Sequence, residues 1–213
     1  MAQQRDLGLA CTRLNRWYDA QSHFHQAIAL LRGTDDLPGL GRTYIRLWWL
    51  YADQRLCEEG RDYATQALEL FTTANHPVGR ATALDTIVHH QTALGDYHQA
   101  LDHAQQALTL FRELGDHHGE ASALDNMGCA QHNLGRHREA ITCFDTALEL
   151  CRHVADRYGN AVILAHLGDA QLGLGDHDAA RHTWQQAVTI LHELGHTEAH
   201  AVQRKLADLS ARS

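Results

Sequence analysis

The sequence predicts an all-α solenoid of five helix-turn-helix units closed by a C-terminal capping helix, and three observations carry that prediction. The first is a repeat without gaps: AIALLR at 27–32, ALELFT at 67–72, ALTLFR at 107–112, ALELCR at 147–152 and AVTILH at 187–192 follow one another every 40 residues. A fixed period of this length decides the architecture before local propensity does. The second is helical spacing within the repeat. Leu84, Ile87, Val88 and Gln91 recur as Leu124, Met127, Gly128 and Gln131, then as Leu164, Leu167, Gly168 and Gln171, which is the i, i+3, i+4, i+7 pattern of one helix face. The third is composition: 213 residues contain two prolines, Pro38 and Pro77, so helix breakers are scarce.

The units follow in order, each pairing a helix A of about 14 residues with a somewhat longer helix B. Unit one, residues 1–36, is entered part-way along helix A, since Leu7 and Gly8 already occupy its middle; a preceding region is therefore expected to have been removed. Unit two spans 37–76, unit three 77–116, unit four 117–156 and unit five 157–196. The turn from A to B falls on the column Asn15, Arg55, Gly95, Gly135 and Gly175, where glycine accepts a positive φ, and Asp96 and Asp176 are placed to cap helix B. Asp36, Asp116 and Asp156 are placed to cap the next helix A. Residues 197–211 form an amphipathic helix with Val202, Leu206 and Leu209 on one side, the solvating cap such stacks need. A single domain, 1–213, without an internal linker is expected.

Bulk is exchanged between the two helices of a unit. Gly8, Gly128 and Gly168 on helix A accompany Phe24, Phe144 and Trp184 on helix B, whereas Trp48 and Val88 accompany Ala64 and Ala104. A close helix crossing conserves packed volume, so the exchange predicts direct A-to-B packing.

Leu124-x-x-Met127-Gly128 with Ala140 and Phe144, and Leu164-x-x-Leu167-Gly168 with Ala180 and Trp184, resemble the tetratricopeptide repeat signature over nearly the whole chain. Two features depart from it. Gln91, Gln131 and Gln171 stand where the signature has tyrosine, and the closing proline is absent. The period is also longer than usual, which places the extra length in helix B and the turn between units. The resemblance implies a right-handed superhelix whose A helices line a concave groove. The period, the Glu113-Leu114-Gly115-Asp116 turn and the late start further resemble the C-terminal repeat regions of actinobacterial antibiotic regulators and STAND-type NTPase regulators. In those families the repeats sense a ligand or partner and control a separate domain, which implies a role in transcription regulation. The chain holds no GxxxxGK[ST] loop and no DNA-reading motif of its own.

The function expected is protein or peptide binding in the groove. Helix A positions turned away from helix B are Arg42, Arg46 and Trp49 in unit two, Asp85 and His89 in unit three, Asp125, Asn126, Cys129 and His132 in unit four, and His166 and Asp169 in unit five. The groove is thus basic and aromatic toward one end and acidic with histidine toward the middle, suited to an extended peptide or partner helix. Trp49 is the foremost anchor, because it cannot share one buried crossing with Trp48; the rival reading is that Trp49 packs on the neighbouring A helix. The alternative is a structural scaffold that self-associates as a homo-oligomer.

Other classes are disfavoured. A net charge of -8 without a Lys/Arg cluster argues against direct nucleic-acid binding. No apolar run approaches the roughly 20 residues that span a bilayer, and the start lacks a signal peptide's basic-then-apolar order, so no membrane contact and a cytoplasmic location are expected. The five cysteines form no CxxC pair. Among 18 histidines, His89, His90, His132 and His166 with Cys129 invite a metal reading. Equivalent positions on successive A helices stand a helix diameter apart, too far for two ligands at roughly 2.0–2.3 Å from one ion, so no metal or cofactor is expected. Cys129 and His132 lie one turn apart, but nothing completes a nucleophilic site around them, and no enzyme is expected.

Overall fold

The computed structural model describes residues 2–14, 16–54 and 57–211, and every regular element among them is an α-helix. The A helices are α1 (Ala2–Arg13), α3 (Leu37–Asp53), α5 (Pro77–Leu94), α7 (His117–Asn133) and α9 (Arg157–Gly173). The B helices are α2 (Trp17–Leu31), α4 (Cys57–Thr73), α6 (Tyr97–Leu114), α8 (His137–His153) and α10 (His177–Glu193), and α11 (Ala199–Ala211) follows as the cap. Two compact units hold them, Met1–Leu94 with α1 to α5 and Gly95–Ser213 with α6 to α11. Within each, a helix packs on its sequence neighbours, and α1 on α3, α3 on α5 and α7 on α9 also meet. No helix is long and apolar enough to cross a membrane among the described residues.

The repeat columns become packing columns. Ala20, Ala100, Ala140 and Ala180 are fully buried, as are Ala27, Ala67, Ala107, Ala147 and Ala187, so methyl-sized side chains occupy the closest approaches between helices. Bulk is exchanged as the sequence predicts. The buried rings of Phe24, Phe144 and Trp184 lie so close over Gly8, Gly128 and Gly168 that a Cβ at any of these glycines would overlap the ring. In unit two the roles invert, with Trp48 buried against Ala64 and Ile87.

Gly95, Gly135 and Gly175 take φ of 86°, 75° and 82° at the ends of their A helices. Asp36, Asp116 and Asp156 accept from the backbone N–H of Gly39, Gly119 and Gly159 at 2.8, 2.9 and 2.9 Å, and Asp176 accepts from that of Ala179 at 3.0 Å. Each such cap contributes about 1 kcal/mol. Asp96 makes no side-chain cap, contrary to expectation. His76 was not foreseen: it stands in the column of Asp36, Asp116 and Asp156, and its Nδ1 accepts from the Gly79 N–H at 2.9 Å. Of the turn column, Asn15 and Arg55 lie outside the described residues.

The extra length of the repeat lies in both helices rather than in helix B and the inter-unit turn. Helices α7, α8, α9 and α10 each run 17 residues. The turns 134–136 and 154–156 are equally short. The physical reason is where helix A starts: the capping Asp directly precedes it, so it begins earlier than the apolar pattern alone suggests.

At the turn after helix B, Gly115 and Gly195 hold φ of 67° and 66°, whereas Ala155 holds 56° in the same column. The left-handed conformation costs an L-residue roughly 1–2 kcal/mol, partly offset by glycine's greater freedom when unfolded. Ala155→Gly is therefore expected to stabilise the second unit by about 0.5–1 kcal/mol, read as a higher urea midpoint; an unchanged or lower midpoint refutes it.

Candidate functional site

In the first unit, Arg42, Arg46 and Trp49 recur along one face of α3 at i, i+4, i+7, while Leu47 and Leu50 of the same helix are buried in the core. Both arginines are exposed, and neither has an ion pair among the described residues. The two tryptophans divide as the sequence requires, Trp48 being 3% exposed and Trp49 39%. Their rings meet edge to face at 4.9 Å and 85°, and Trp49 meets His89 of α5 at 5.3 Å and 64°. Such contacts contribute about 0.5–1.5 kcal/mol and hold Trp49 in place, leaving its outer edge free. Asp85 and His89 are half-buried on α5.

In the second unit the predicted positions turn largely toward one another. His166 of α9 reaches across to α7, where its Nδ1 lies 2.8 Å from Asp125 Oδ1 and 3.5 Å from Cys129 Sγ. The imidazole also leans on the buried Phe144 ring, with centroids 6.0 Å apart. The expectation that neighbouring A helices keep their side chains too far apart fails here. Asp125 and Cys129, one turn apart on α7, project into the same gap that the long imidazole enters from α9. Burial works against a charge on His166, but the Asp125 carboxylate and Cys129 more than reverse this and raise its pKa well above the ordinary imidazole value. Burial pushes the Cys129 thiol up, with His166 opposing it, so the sulfur is a neutral thiol at neutral pH. A nucleophile, base and orienting group would need the two nitrogens of the ring for two partners. Here Nδ1 faces both Asp125 and Cys129, so no relay is built.

His132, the sequence's proposed partner for Cys129, instead sets its Nδ1 3.1 Å from Nδ1 of His137. Burial and the His137 ring both lower its pKa, favouring the neutral form. Asn126 is only 5% exposed, so it belongs to the packing rather than to a binding surface. Asp169 is held by Lys205 of α11, whose Nζ donates to its two carboxylate oxygens at 2.7 and 2.5 Å. Sequence reasoning missed Lys205, although it is the chain's single lysine and sits on the cap helix. The same corner borders an open pocket of ≈ 370 Å³ lined by Asp169, Leu172, His177, Trp184, Lys205 and Leu209, among others. The acidic character expected of units four and five is thus neutralised internally, by His166 at Asp125 and by Lys205 at Asp169.

A family model described as tetratricopeptide repeat matches residues 79–142 and 130–193. No curated protein sequence matches the chain. Among solved structures, the apo form of RapI is similar over 91% of this chain and 71% of that one, with 16% identity and a TM-score of 0.78. A Rap protein complexed with competence and sporulation factor is similar over 89% of this chain and 53% of its own, at 20% identity and TM-score 0.78. A STAND protein with a tetratricopeptide repeat sensor, from Pyrococcus horikoshii, is similar over 97% of this chain and 31% of its own, at 14% identity and TM-score 0.75. At these identities the likeness is one of fold, and the chain spans about half of the second protein and under a third of the third.

Proposed function

The chain belongs to the tetratricopeptide repeat family, and from that premise we propose that it is a protein- or peptide-binding module, the sensory part of a cytoplasmic bacterial regulator. The observation that carries the reading is the α3 face: two exposed guanidinium groups without ion pairs among the described residues precede an exposed, edge-supported indole on the same face. Arginine and tryptophan are the residue types that most often dominate interface energies, and a Trp held by neighbours loses little freedom on binding. Uncompensated arginines beside it favour a partner with carboxylates or other anionic groups. The solved Rap protein in complex with a factor and the STAND protein with a repeat sensor support a sensing role for such a scaffold.

A peptide array probed with the whole chain identifies the ligand. Arg46→Glu and Trp49→Ala are each expected to weaken its binding at least tenfold, about 1.4 kcal/mol, with helical circular dichroism unchanged. Parent-like affinity in both variants would rule out this face.

A further inference from the structure

We propose that Asp125, Cys129 and His166 form a three-ligand site for a divalent cation of the zinc class. The cluster combines a carboxylate, a thiol and an imidazole whose donor atoms all lie within 4.8 Å of one another, drawn from two adjacent A helices. The inference does not rest on the partner-binding face of α3, which uses other residues.

The distances suit such an ion. Tetrahedral zinc at about 2.3 Å from sulfur and about 2.0–2.1 Å from nitrogen separates the two ligand atoms by roughly 3.5 Å. Cys129 Sγ and His166 Nδ1 are 3.5 Å apart. The same geometry sets nitrogen and carboxylate oxygen roughly 3.3 Å apart. Asp125 Oδ1 stands 2.8 Å from Nδ1, and rotation about the soft terminal torsion of an aspartate covers that difference. Asp125 and Cys129 are fixed one turn apart on α7, and the Phe144 ring behind His166 limits how the imidazole can tilt.

Charge and ligand softness point the same way. Binding displaces the thiol proton of Cys129 and the proton on the His166 imidazole to solvent, and the resulting thiolate and the Asp125 carboxylate together cancel a divalent ion, which matters where the side chains of Asp125 and His166 are only 14% and 34% exposed. Thiolate with imidazole selects zinc and cobalt over magnesium or calcium, which prefer all-oxygen sites. Three protein ligands leave the fourth position to water or to a donor from outside, the arrangement of an open rather than a closed zinc site.

The test uses the whole chain, stripped of metal and titrated with cobalt(II) chloride and then zinc chloride. The expected result is one equivalent bound with a thiolate-to-cobalt charge-transfer band that zinc abolishes. Zinc should also protect Cys129 of the parent chain from alkylation, mapped by peptide mass, a readout that needs no variant to fold. Cys129→Ser and His166→Gln should each weaken zinc binding at least about tenfold, since even outer-shell changes cost that much. His118→Gln, at an exposed histidine, should leave it unchanged. The proposal is overturned by an absent charge-transfer band, by Cys129 alkylated equally fast with and without zinc, by undiminished binding in Cys129→Ser, or by binding that is lost in His118→Gln.

Discussion

Phe144→Ala is expected to destabilise the second unit by about 3–5 kcal/mol, because a fully buried ring is removed from a crossing that cannot collapse around the space. Gly128→Trp is expected to be destabilising too, since even a Cβ at that position would overlap the Phe144 ring. The double variant transplants the arrangement of unit two, where Trp48 on helix A packs on Ala64 of helix B. It should be more stable than the sum of the two losses by about 0.5–3 kcal/mol, the coupling that contacting residues show. Urea unfolding of the parent, both single variants and the double variant gives that coupling directly. Strict additivity would mean that the two positions do not share one packed volume. Phe144 also backs His166, so Phe144→Ala should loosen the Asp125–Cys129–His166 cluster while the α3 face is untouched.

The register of the fold was legible because a gapless period makes every column a separate check on the others. The alanine columns, the turn glycines and the Asp36, Asp116 and Asp156 caps were each readable from residue type alone, since each meets a local demand: a close approach, a positive φ, an orphan N–H. His76 escaped because imidazole is an uncommon cap, and only its column pointed to it. Helix A was read too short because its first turn carries few apolar residues, as in His117-His118-Gly119-Glu120.

The candidate site was less legible, and for a different reason. A repeat pattern tells which face of a helix a residue occupies, but not how far its side chain reaches toward the neighbouring helix. Trp49 depended only on the face: it is 39% exposed there, while its ring also packs on His89 of the neighbouring A helix. The cluster of Asp125, Cys129 and His166 depends on reach, across sequence separations of 37 and 41 residues that belong to no linear motif. Lys205 depends on how α11 lies over α9, which the amphipathicity of the cap leaves open. Asn126 shows the converse: a polar residue in a column that varies in burial was assigned to the groove and is packed instead.

At the other end of the second unit, Trp184→Ala is expected to cost about 3–5 kcal/mol and Lys205→Ala less than about 1 kcal/mol, although both side chains line the same open pocket. The indole is 1% exposed, seated over Gly168, and its Nε1–H donates to the Ala165 carbonyl at 3.1 Å inside the packing. Its removal loses both the burial of a large ring and a hydrogen bond that water cannot easily replace. The Lys205–Asp169 pair has better-looking geometry but lies 40% and 27% exposed, where solvent screens the attraction and a flexible lysine must be held still. Its ammonium stands 5.9 Å from the Trp184 ring centroid, which adds about 0.5 kcal/mol at such exposure. Thermal unfolding of the two variants separates these contributions: a Lys205→Ala loss equal to that of Trp184→Ala would show that ion pairing, rather than ring packing, holds α9, α10 and α11 together.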